Sequence, residues 1–302
     1  MDTMSEMIDA YRTCELATLT RSGSPVAWPT TGLRLDDGTF LLTTSLGYPQ
    51  KAFNIRRDGR VALLFSDPTA SGLDEPAQIL VRGVATCPDE IHVDPVGDLG
   101  RLWALLMRRQ PSCRKYLSWP TNKLADFYFM RLLITVRPDE IVSRPLPVTT
   151  NQALAGSSLA GAEVLADYES VVLIGTDADG APVLVRTSVT AEPGGYRVDV
   201  PADVPVVAGP AGLLVHRHDD QLWNLHNANV RGHLAADGRG WLLRPERLVE
   251  PGQKHRSSVL DPIRISRGCQ ATTRRYLEHR GLTRPAVPWD AYRAIRDRLP
   301  RG

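Results

Sequence analysis

The chain has 302 residues, about twice the length of a usual single domain, so two domains are the first expectation. Hydrophobic residues make up 42% and charged residues 23% of the chain, which excludes a wholly disordered protein. The net charge of +2 hides a split, because residues 253–302 carry twelve basic and four acidic side chains while the rest of the chain is acidic.

The N-terminal residues are acidic and lack the apolar segment of a secretory signal. No apolar run reaches the roughly 20 residues that a membrane span needs. We therefore expect a cytoplasmic protein with no membrane partner. The four cysteines contain no C-x-x-C pair, so no zinc site or disulfide scaffold is predicted, nor is any other metal site.

In the first half of the chain, the sequence predicts a short helix over residues 5–13 followed by a series of β-strands. Strands and the helices between them are predicted from hydrophobic period and turn residues. The predicted strands are 16–19, 25–35, 39–45, 61–66, 77–86 and 126–136, and the predicted helices are 49–57 and a long amphipathic one within 89–118.

Residues 143–162 are rich in Pro, Ser, Thr, Ala and Gly, which is typical of a linker. β signals then return and end before a tail with helical stretches. The predicted strands of this half are 171–175, 182–189, 196–200, 212–217, 229–235 and 240–244. We therefore divide the chain into a first domain (1–142), a linker (143–162), a second, reduced domain (163–252) and a basic helical tail (253–302).

Four short sequences recur in the same order in both halves, which indicates an internal duplication. The pairs are Gly23-Ser24-Pro25-Val26 with Gly180-Ala181-Pro182-Val183, Val61-Ala62-Leu63-Leu64 with Ala211-Gly212-Leu213-Leu214, Val81-Arg82-Gly83 with Val230-Arg231-Gly232, and Arg137-Pro138-Asp139-Glu140-Ile141 with Arg244-Pro245-Glu246-Arg247-Leu248. The second copy lacks the long helix of the first.

Residues 39–66 contain the most informative pattern. A predicted strand ends in Thr43, Thr44 and Ser45, a turn follows, and a helix then begins with Lys51 in its first turn. Strand-end hydroxyls and a helix N-terminus form an anion site, and a lysine there adds a charge suited to phosphate. The alternative interpretation is a surface helix with an ordinary cap.

The same stretch resembles the FMN-binding split β-barrel family, the pyridoxamine 5′-phosphate oxidase-like superfamily. The motifs that carry the resemblance are Gln50-Lys51-Ala52-Phe53-Asn54-Ile55, then Arg60-Val61-Ala62-Leu63, then Gln78-Ile79-Leu80-Val81-Arg82-Gly83-Val84-Ala85. The resemblance covers roughly residues 10–142.

The resemblance and the duplication together predict a mainly β fold with helices (α+β). We expect two tandem split β-barrels, the second degenerate, and a helical C-terminal tail. The resemblance implies bound FMN and a set of cofactor-binding residues: Trp28, Pro29, Thr43, Thr44, Ser45, Gln50, Lys51 and Gln78.

Within that set, the resemblance gives the hydroxyls and Lys51 to the phosphate and Gln78 to the edge of the isoalloxazine ring. Trp28 and Pro29 are expected along the ring. Gln50 stands where the family often has an arginine. The pattern identifies no catalytic residue.

The function that follows from the resemblance is a flavin-dependent oxidoreductase acting on a small-molecule substrate. The alternatives are a deazaflavin-dependent reductase of the same fold and a non-catalytic flavin- or haem-binding module. The C-terminal motif of true pyridoxamine phosphate oxidases is not found, so activity on pyridoxamine phosphate is not expected.

The family also implies a dimer with the flavin between two barrels. In the second copy the segment equivalent to residues 43–60 shrinks to residues 199–210, which contain two Asp and no Lys, Arg or hydroxyl. We expect this copy to have no cofactor site of its own. It would complete the first site within the chain as an intramolecular pseudo-dimer, and a homodimer is the alternative.

The basic tail is expected to dock on the acidic body or to line the mouth of a site for an anionic ligand. Nucleic acid is the less favoured partner, because no recognition motif accompanies the charge. His216 and His218, with His226 and His233 nearby, are interpreted as surface or network histidines rather than as metal or haem ligands.

Overall fold

The computed structural model describes residues 3–223, 225–250 and 261–300, with the backbone alone at 261–263. The first half of the chain, called here the first unit, forms one antiparallel sheet of seven strands with helices around it. Its strands are β1 (Cys14–Leu19), β2 (Pro25–Thr30), β3 (Gly32–Arg34), β4 (Phe40–Ser45), β5 (Arg60–Phe65), β6 (Ala77–Thr86) and β7 (Arg131–Pro145). Its helices are α1 (Thr3–Ala10), α2 (Gln50–Arg57), α3 (Gly97–Arg109) and α4 (Thr121–Leu124).

The second unit forms a second antiparallel sheet of seven strands, and its helix is α5 (Ala162–Leu165). Its strands are β8 (Val171–Thr176), β9 (Pro182–Thr187), β10 (Val189–Glu192), β11 (Gly195–Val198), β12 (Gly209–Arg217), β13 (His226–Ala236) and β14 (Trp241–Val249). The tail contains α6 (Asp261–Glu278) and α7 (Trp289–Asp297). Within the described ranges, every helix is too short or too polar to cross a membrane.

The two sheets share one strand order. The first runs β2-β1-β5-β6-β7-β4-β3 and the second β9-β8-β12-β13-β14-β11-β10, so each strand has a counterpart at the same place. They also share a bulge, because the register shifts between Arg82 and Gly83 in β6 and between Arg231 and Gly232 in β13. The predicted fold of two tandem split barrels, with the second reduced and a helical C-terminal tail, is confirmed.

The structure differs from the expected elements in several places. The strand expected from residue 126 begins only at Arg131, after a short 3-10 helix over Asp126–Tyr128, and the strand expected over residues 182–189 is divided between β9 and β10. The strand expected over residues 25–35 is two strands, because β2 pairs with β1 at one edge of the sheet and β3 pairs with β4 at the other. The chain bends between them as the sheet curls. Strand β7 continues to Pro145 and so extends into the expected linker. Residues 253–260 of the expected tail lie outside the described residues, and the domain limits stay a prediction.

Between β11 and β12, where every residue is described, the second unit has no helix equivalent to α2. The chain between β11 and β12 instead places Val204 and Val206 in the core of the second sheet. These side chains bury apolar surface with a short segment where the first unit uses a helix. The reduced segment predicted from residues 199–210 therefore has a packing role.

The two sheets pack against each other through a buried apolar layer. From the first unit this layer contains three alanines, Ala17, Ala27 and Ala62, with Leu64 and Leu80. From the second unit it contains the larger side chains Val172, Ile174, Leu184 and Leu214. The small residues on one side allow close approach, so the interface resembles the core of a single domain.

A buried polar network lies beside this layer and joins the two units. Glu15 of β1 accepts a hydrogen bond from Arg186 of β9 at 3.0 Å, and its Oε1 lies 2.6 Å from Nε2 of His216. Asp67 lies 3.6 Å from His216 and 3.5 Å from His218. His216 and His218 therefore belong to a buried hydrogen-bonded network, which is within the predicted class of surface or network histidines.

Burial alone raises the pKa of the Glu15 carboxyl, but the hydrogen bond and charge of His216 and the charge of Arg186 lower it by more. The pKa of Glu15 is therefore held below its ordinary value. The pKa of Asp67 is lowered in the same way, because His216 and a hydrogen bond from Thr69 outweigh its burial.

Replacing Glu15 with Gln should lower the free energy of unfolding at pH 7 by about 3–5 kcal/mol, the range for a buried ion pair that loses one partner. The matched control is Glu140→Gln, which removes an exposed partner of Arg82 and should cost no more than about 1 kcal/mol. Urea unfolding followed by circular dichroism measures both changes.

The lowered pKa values also predict how stability depends on pH. A carboxyl with a lowered pKa in the folded state stabilises that state above its unfolded pKa of about 4 and loses this contribution as pH falls further. The free energy of unfolding of the wild type should therefore fall between about pH 5 and pH 3. Glu15→Gln should show a shallower fall, and an unchanged slope would contradict this assignment.

The bulge in β6 makes a second prediction. A Cβ atom on Gly83 would lie 2.1 Å from the carbonyl oxygen of Arg137, so Gly83→Ala should destabilise the protein by at least about 1–3 kcal/mol. Gly268→Ala, in open space on α6, is the control and should be neutral or stabilising. Equal thermal midpoints for the two variants would show that the bulge tolerates a side chain.

Candidate functional site

A cavity of about 850 Å³ lies where the first unit, the second unit and the tail meet. The first unit supplies the end of β2, the end of β4 and the start of α2. The second unit supplies residues at the start of β13 and the end of β14, among them His226, Asn227 and Glu250. Helix α6 of the tail adds Ile265 and Thr272.

The structure brings together seven of the eight residues expected to bind a cofactor. Trp28, Pro29, Thr43, Thr44, Ser45, Gln50 and Lys51 all line this cavity.

Gln78 is the exception, and it lies apart from the cavity. Its buried side chain donates to the carbonyl oxygens of Pro145 and Arg186, both at 3.0 Å, and accepts from the backbone N–H of Arg186. The side-chain amide is therefore engaged at the interface between the units. We exclude Gln78 from the candidate site.

Hydrogen bonds within the turn between β4 and α2 shape the end of the cavity where the sequence predicts an anion site. The hydroxyl of Thr44 donates to the carbonyl oxygen of Tyr48 at 2.6 Å, and the N–H of Tyr48 donates to the carbonyl of Ser45. Gly47 is required here, because a Cβ would lie 2.8 Å from the ring of Phe127. The turn therefore leads from β4 into α2 with its backbone fixed.

Helix α2 begins at this end of the cavity without a side-chain cap. Pro49 is its N-cap and supplies no hydrogen-bonding side chain. The backbone N–H groups of Gln50, Lys51 and Ala52 have no acceptor within the helix, as at any helix start. The helix dipole and these groups favour an anion there.

Lys51 lies in the first turn of α2, with Nζ 5.9 Å from the centre of the Trp28 ring. The pKa of Lys51 is lowered to about 8, chiefly by burial and in smaller part by the positive charge of Arg131, against an opposing effect of Cys14. The ammonium group is therefore poorly solvated, which a bound anion would offset.

Two other buried side chains at this end of the cavity carry hydrogen-bond donors that have no partner among the described residues. These donors are the hydroxyl of Ser45 and the Nε and Nη2 groups of Arg131. Sequence reasoning missed Arg131, which begins β7 and pairs with Ser45 across the sheet. The only signal was one arginine at the start of an apolar strand, which also suits an ordinary strand end.

The opposite wall comes from the second unit. The hydroxyl of Tyr168 is hydrogen-bonded to Nδ1 of His226 at 2.5 Å, and Nε2 of His226 lies 3.8 Å from Glu250. Sequence reasoning placed His226 among network or surface histidines. The structure places it in a polar chain that reaches the cavity. No group of three or more metal-ligating side chains was found in the described part of the chain.

The tail docks on acidic side chains of the first unit. Arg280 pairs with Asp89 at 2.6 Å, and Arg284 pairs with Asp126 at 2.7 Å. Tyr292 of α7 is fully buried against the aromatic cluster around Trp103. Of the two roles expected for the tail, Arg280 and Arg284 have the docking role. The described tail residues that line the cavity, Ile265 and Thr272, are not arginines.

Comparison with known proteins finds no matching family model and no matching curated protein. Solved structures do match. A putative pyridoxamine 5′-phosphate oxidase from Listeria innocua is 15% identical, with a TM-score of 0.32, over 47% of this chain and 95% of that chain. An F420 reductase is 21% identical, with a TM-score of 0.30, over 47% of this chain and 98% of that chain.

A third match is HutZ, the haem storage protein from Vibrio cholerae, which is 12% identical with a TM-score of 0.32, over 46% of this chain and 90% of that chain. Each of these matches covers less than half of this chain, and the resemblance of the fold rests on the two sheets of this structure rather than on the matches. Identities and TM-scores this low carry no argument about function.

The environment of Lys51 predicts an unusual titration. The chain has four lysines, so the Cε signals of ¹³C-labelled lysine can be followed separately by NMR. One signal should titrate at about pH 8 and disappear in Lys51→Arg. If all four titrate near the ordinary lysine value of about 10.4, the poorly solvated environment assigned to Lys51 is wrong.

Proposed function

We propose that the protein binds FMN in this cavity and acts as a flavin-dependent oxidoreductase of the pyridoxamine 5′-phosphate oxidase-like kind. The observation that supports the proposal is the convergence of Lys51, the unpartnered hydroxyl of Ser45 and the uncapped start of α2 at one end of the cavity. This donor set fits a phosphate group, which needs several N–H and O–H donors and a cation.

In this proposal the phosphate is held by Lys51, Ser45, Thr43 and the first N–H groups of α2. Trp28 and Pro29 lie beside the ring system, and Gln50 stays at the helix start, where its amide donates to Asn54. Bound FMN would supply hydride-transfer chemistry that no side chain offers. The protein would bind and orient it and exclude water.

The second unit completes the proposed site within one chain. His226, Asn227 and Glu250 of the second unit line the same cavity as Trp28 and Lys51, and the family has a second barrel at this site. The limits of the two domains, 1–142 and 163–252, belong to this proposal. The chain would thus form an intramolecular pseudo-dimer with one cofactor site.

The identity of the cofactor is tested on the purified protein. Its absorbance spectrum, with mass spectrometry of whatever heat releases, should give FMN. Release of a deazaflavin coenzyme would favour the deazaflavin-dependent reductase of the same fold. Release of haem, or a colourless protein that does not take up FMN, would favour the non-catalytic binding module and contradict the proposal.

Lys51→Gln should weaken FMN binding by about 10- to 100-fold, the range for losing a hydrogen bond to a charged group. Riboflavin, which lacks the phosphate, should bind as it does to the wild type. The control is Arg57→Gln, which removes the same charge from an exposed position on the same helix and should leave both affinities unchanged. Titrations that follow flavin fluorescence measure the Kd values, and equal losses for both flavins would contradict a phosphate site.

The affinity for FMN should also depend on pH. Because the pKa of Lys51 in the empty protein is about 8, binding should weaken as pH rises above 8 and the ammonium loses its proton. Lys51→Arg, whose side chain stays charged, should lack this decline. Riboflavin should show no such dependence, and the same decline in the wild type and Lys51→Arg would assign it to another group.

A further inference from the structure

Arg131 lies beside the proposed phosphate site, on the strand that pairs with β4. It is the first residue of β7 and pairs in register with Ser45, the last residue of β4. Residues that pair directly in an antiparallel sheet place their side chains on the same face. Arg131 and Ser45 therefore approach the cavity together, and Lys51 lines the same cavity from α2.

Aromatic side chains surround the guanidinium group of Arg131, but they do not neutralise its positive charge. The residue is only 7% exposed, and its Nε and Nη2 groups have no hydrogen-bond partner in the described part of the chain. The group lies 4.2 Å from the centre of the Tyr128 ring and 4.8 Å from that of Trp103. These contacts attract a cation and fix its plane, but they supply no opposite charge.

A buried charge without an anion is costly, so such groups in proteins are usually paired. Among the described residues no carboxylate lies within 4.0 Å of Arg131, so the anion that would offset this cost must come from elsewhere. The unpartnered N–H groups form part of the planar fork that binds two oxygens of one phosphate. Arg131 lines the cavity beside Ser45, so an anion bound there would lie next to the guanidinium group.

We propose that Arg131 is a second phosphate-binding residue and that its guanidinium group and Lys51 hold one phosphate dianion between them. Trp103 and Tyr128 are positioning residues that fix the plane of the guanidinium group. The inference rests on the proposed function for the identity of the ligand. It goes beyond that function because it assigns a residue outside the sequence motif and gives the site its preference for a doubly charged phosphate group.

The first test compares Arg131→Gln with Arg137→Gln. Both residues are on β7 and both changes remove one positive charge, but Arg137 is 74% exposed. Arg131→Gln should weaken FMN binding about 10- to 100-fold and leave riboflavin within about twofold of the wild type. Arg137→Gln should leave both Kd values unchanged. If Arg131→Gln binds FMN as the wild type does while Lys51→Gln does not, the assignment of Arg131 falls and the proposed function stands.

A second variant separates the loss of a phosphate contact from a loss of folding. Arg131→Lys keeps the charge and loses the planar fork, so it should bind FMN about tenfold more weakly than the wild type, with riboflavin unchanged. Circular dichroism and the thermal midpoint confirm that each variant is folded. An Arg131→Lys protein with the FMN affinity of the wild type would overturn the role of the fork.

A third measurement does not depend on FMN. Inorganic phosphate should raise the thermal midpoint of the empty wild type and leave that of Arg131→Gln unchanged. In addition, Arg131→Gln should shift the titration of Lys51 to higher pH, because a neighbouring positive charge is removed. If the wild type binds phosphate but not FMN, the proposed function fails and the assignment of Arg131 stands. Equal phosphate shifts in the two proteins, or no shift in the wild type, overturn the assignment.

Discussion

The contact between the two sheets is the constraint on which the rest of the structure depends. Small side chains of β1, β2 and β5 meet larger apolar side chains of β8, β9 and β12 in one buried layer. The cavity has walls from both units, so its shape follows from how this layer is packed. A shift of one sheet on the other would separate Lys51 from His226 and leave two half-sites open to water.

The buried pair of Glu15 and Arg186 makes that contact specific. A buried ion pair adds little stability over apolar packing, but a charge left without its partner is strongly destabilising. Arg186 donates a hydrogen bond from each of its three guanidinium nitrogens, to Glu15, Ser66 and Ser170. Another arrangement of the sheets would leave these groups buried and unpaired, so the network selects the arrangement that forms the cavity.

The sequence predicted those features of the site that lie close together along the chain. One strand, one turn and one helix hold Thr43, Ser45 and Lys51, and the strand-end hydroxyls and helix start could be read from local pattern. Arg131 and His226 could not, because strand pairing and the packing of the two units place them there.

For Gln78, the sequence motif predicted a role in the site that the tertiary structure does not give it. Its position matches the family motif, but its side chain bonds to Arg186 of the second unit, and a motif carries no information about that neighbour. The fold was more accessible to sequence reasoning than the site. Turn residues and recurring sequences marked the strands of both units, whereas the partner-switching bend between β2 and β3 depends on how the whole sheet curls.

Two buried arginines in the same chain show why the cavity should hold an anion. Arg186, at the closed interface, has a carboxylate and two hydroxyls as partners. Arg131, at the cavity, has two aromatic rings and two N–H positions without an acceptor. Both guanidinium groups have lost most of their contact with water, and hydrogen-bonded partners offset that cost for Arg186 but not for Arg131. The second unit has no Lys or Arg in residues 199–210 and fills the equivalent region with Val204 and Val206, so it offers no cation at the place that corresponds to the start of α2.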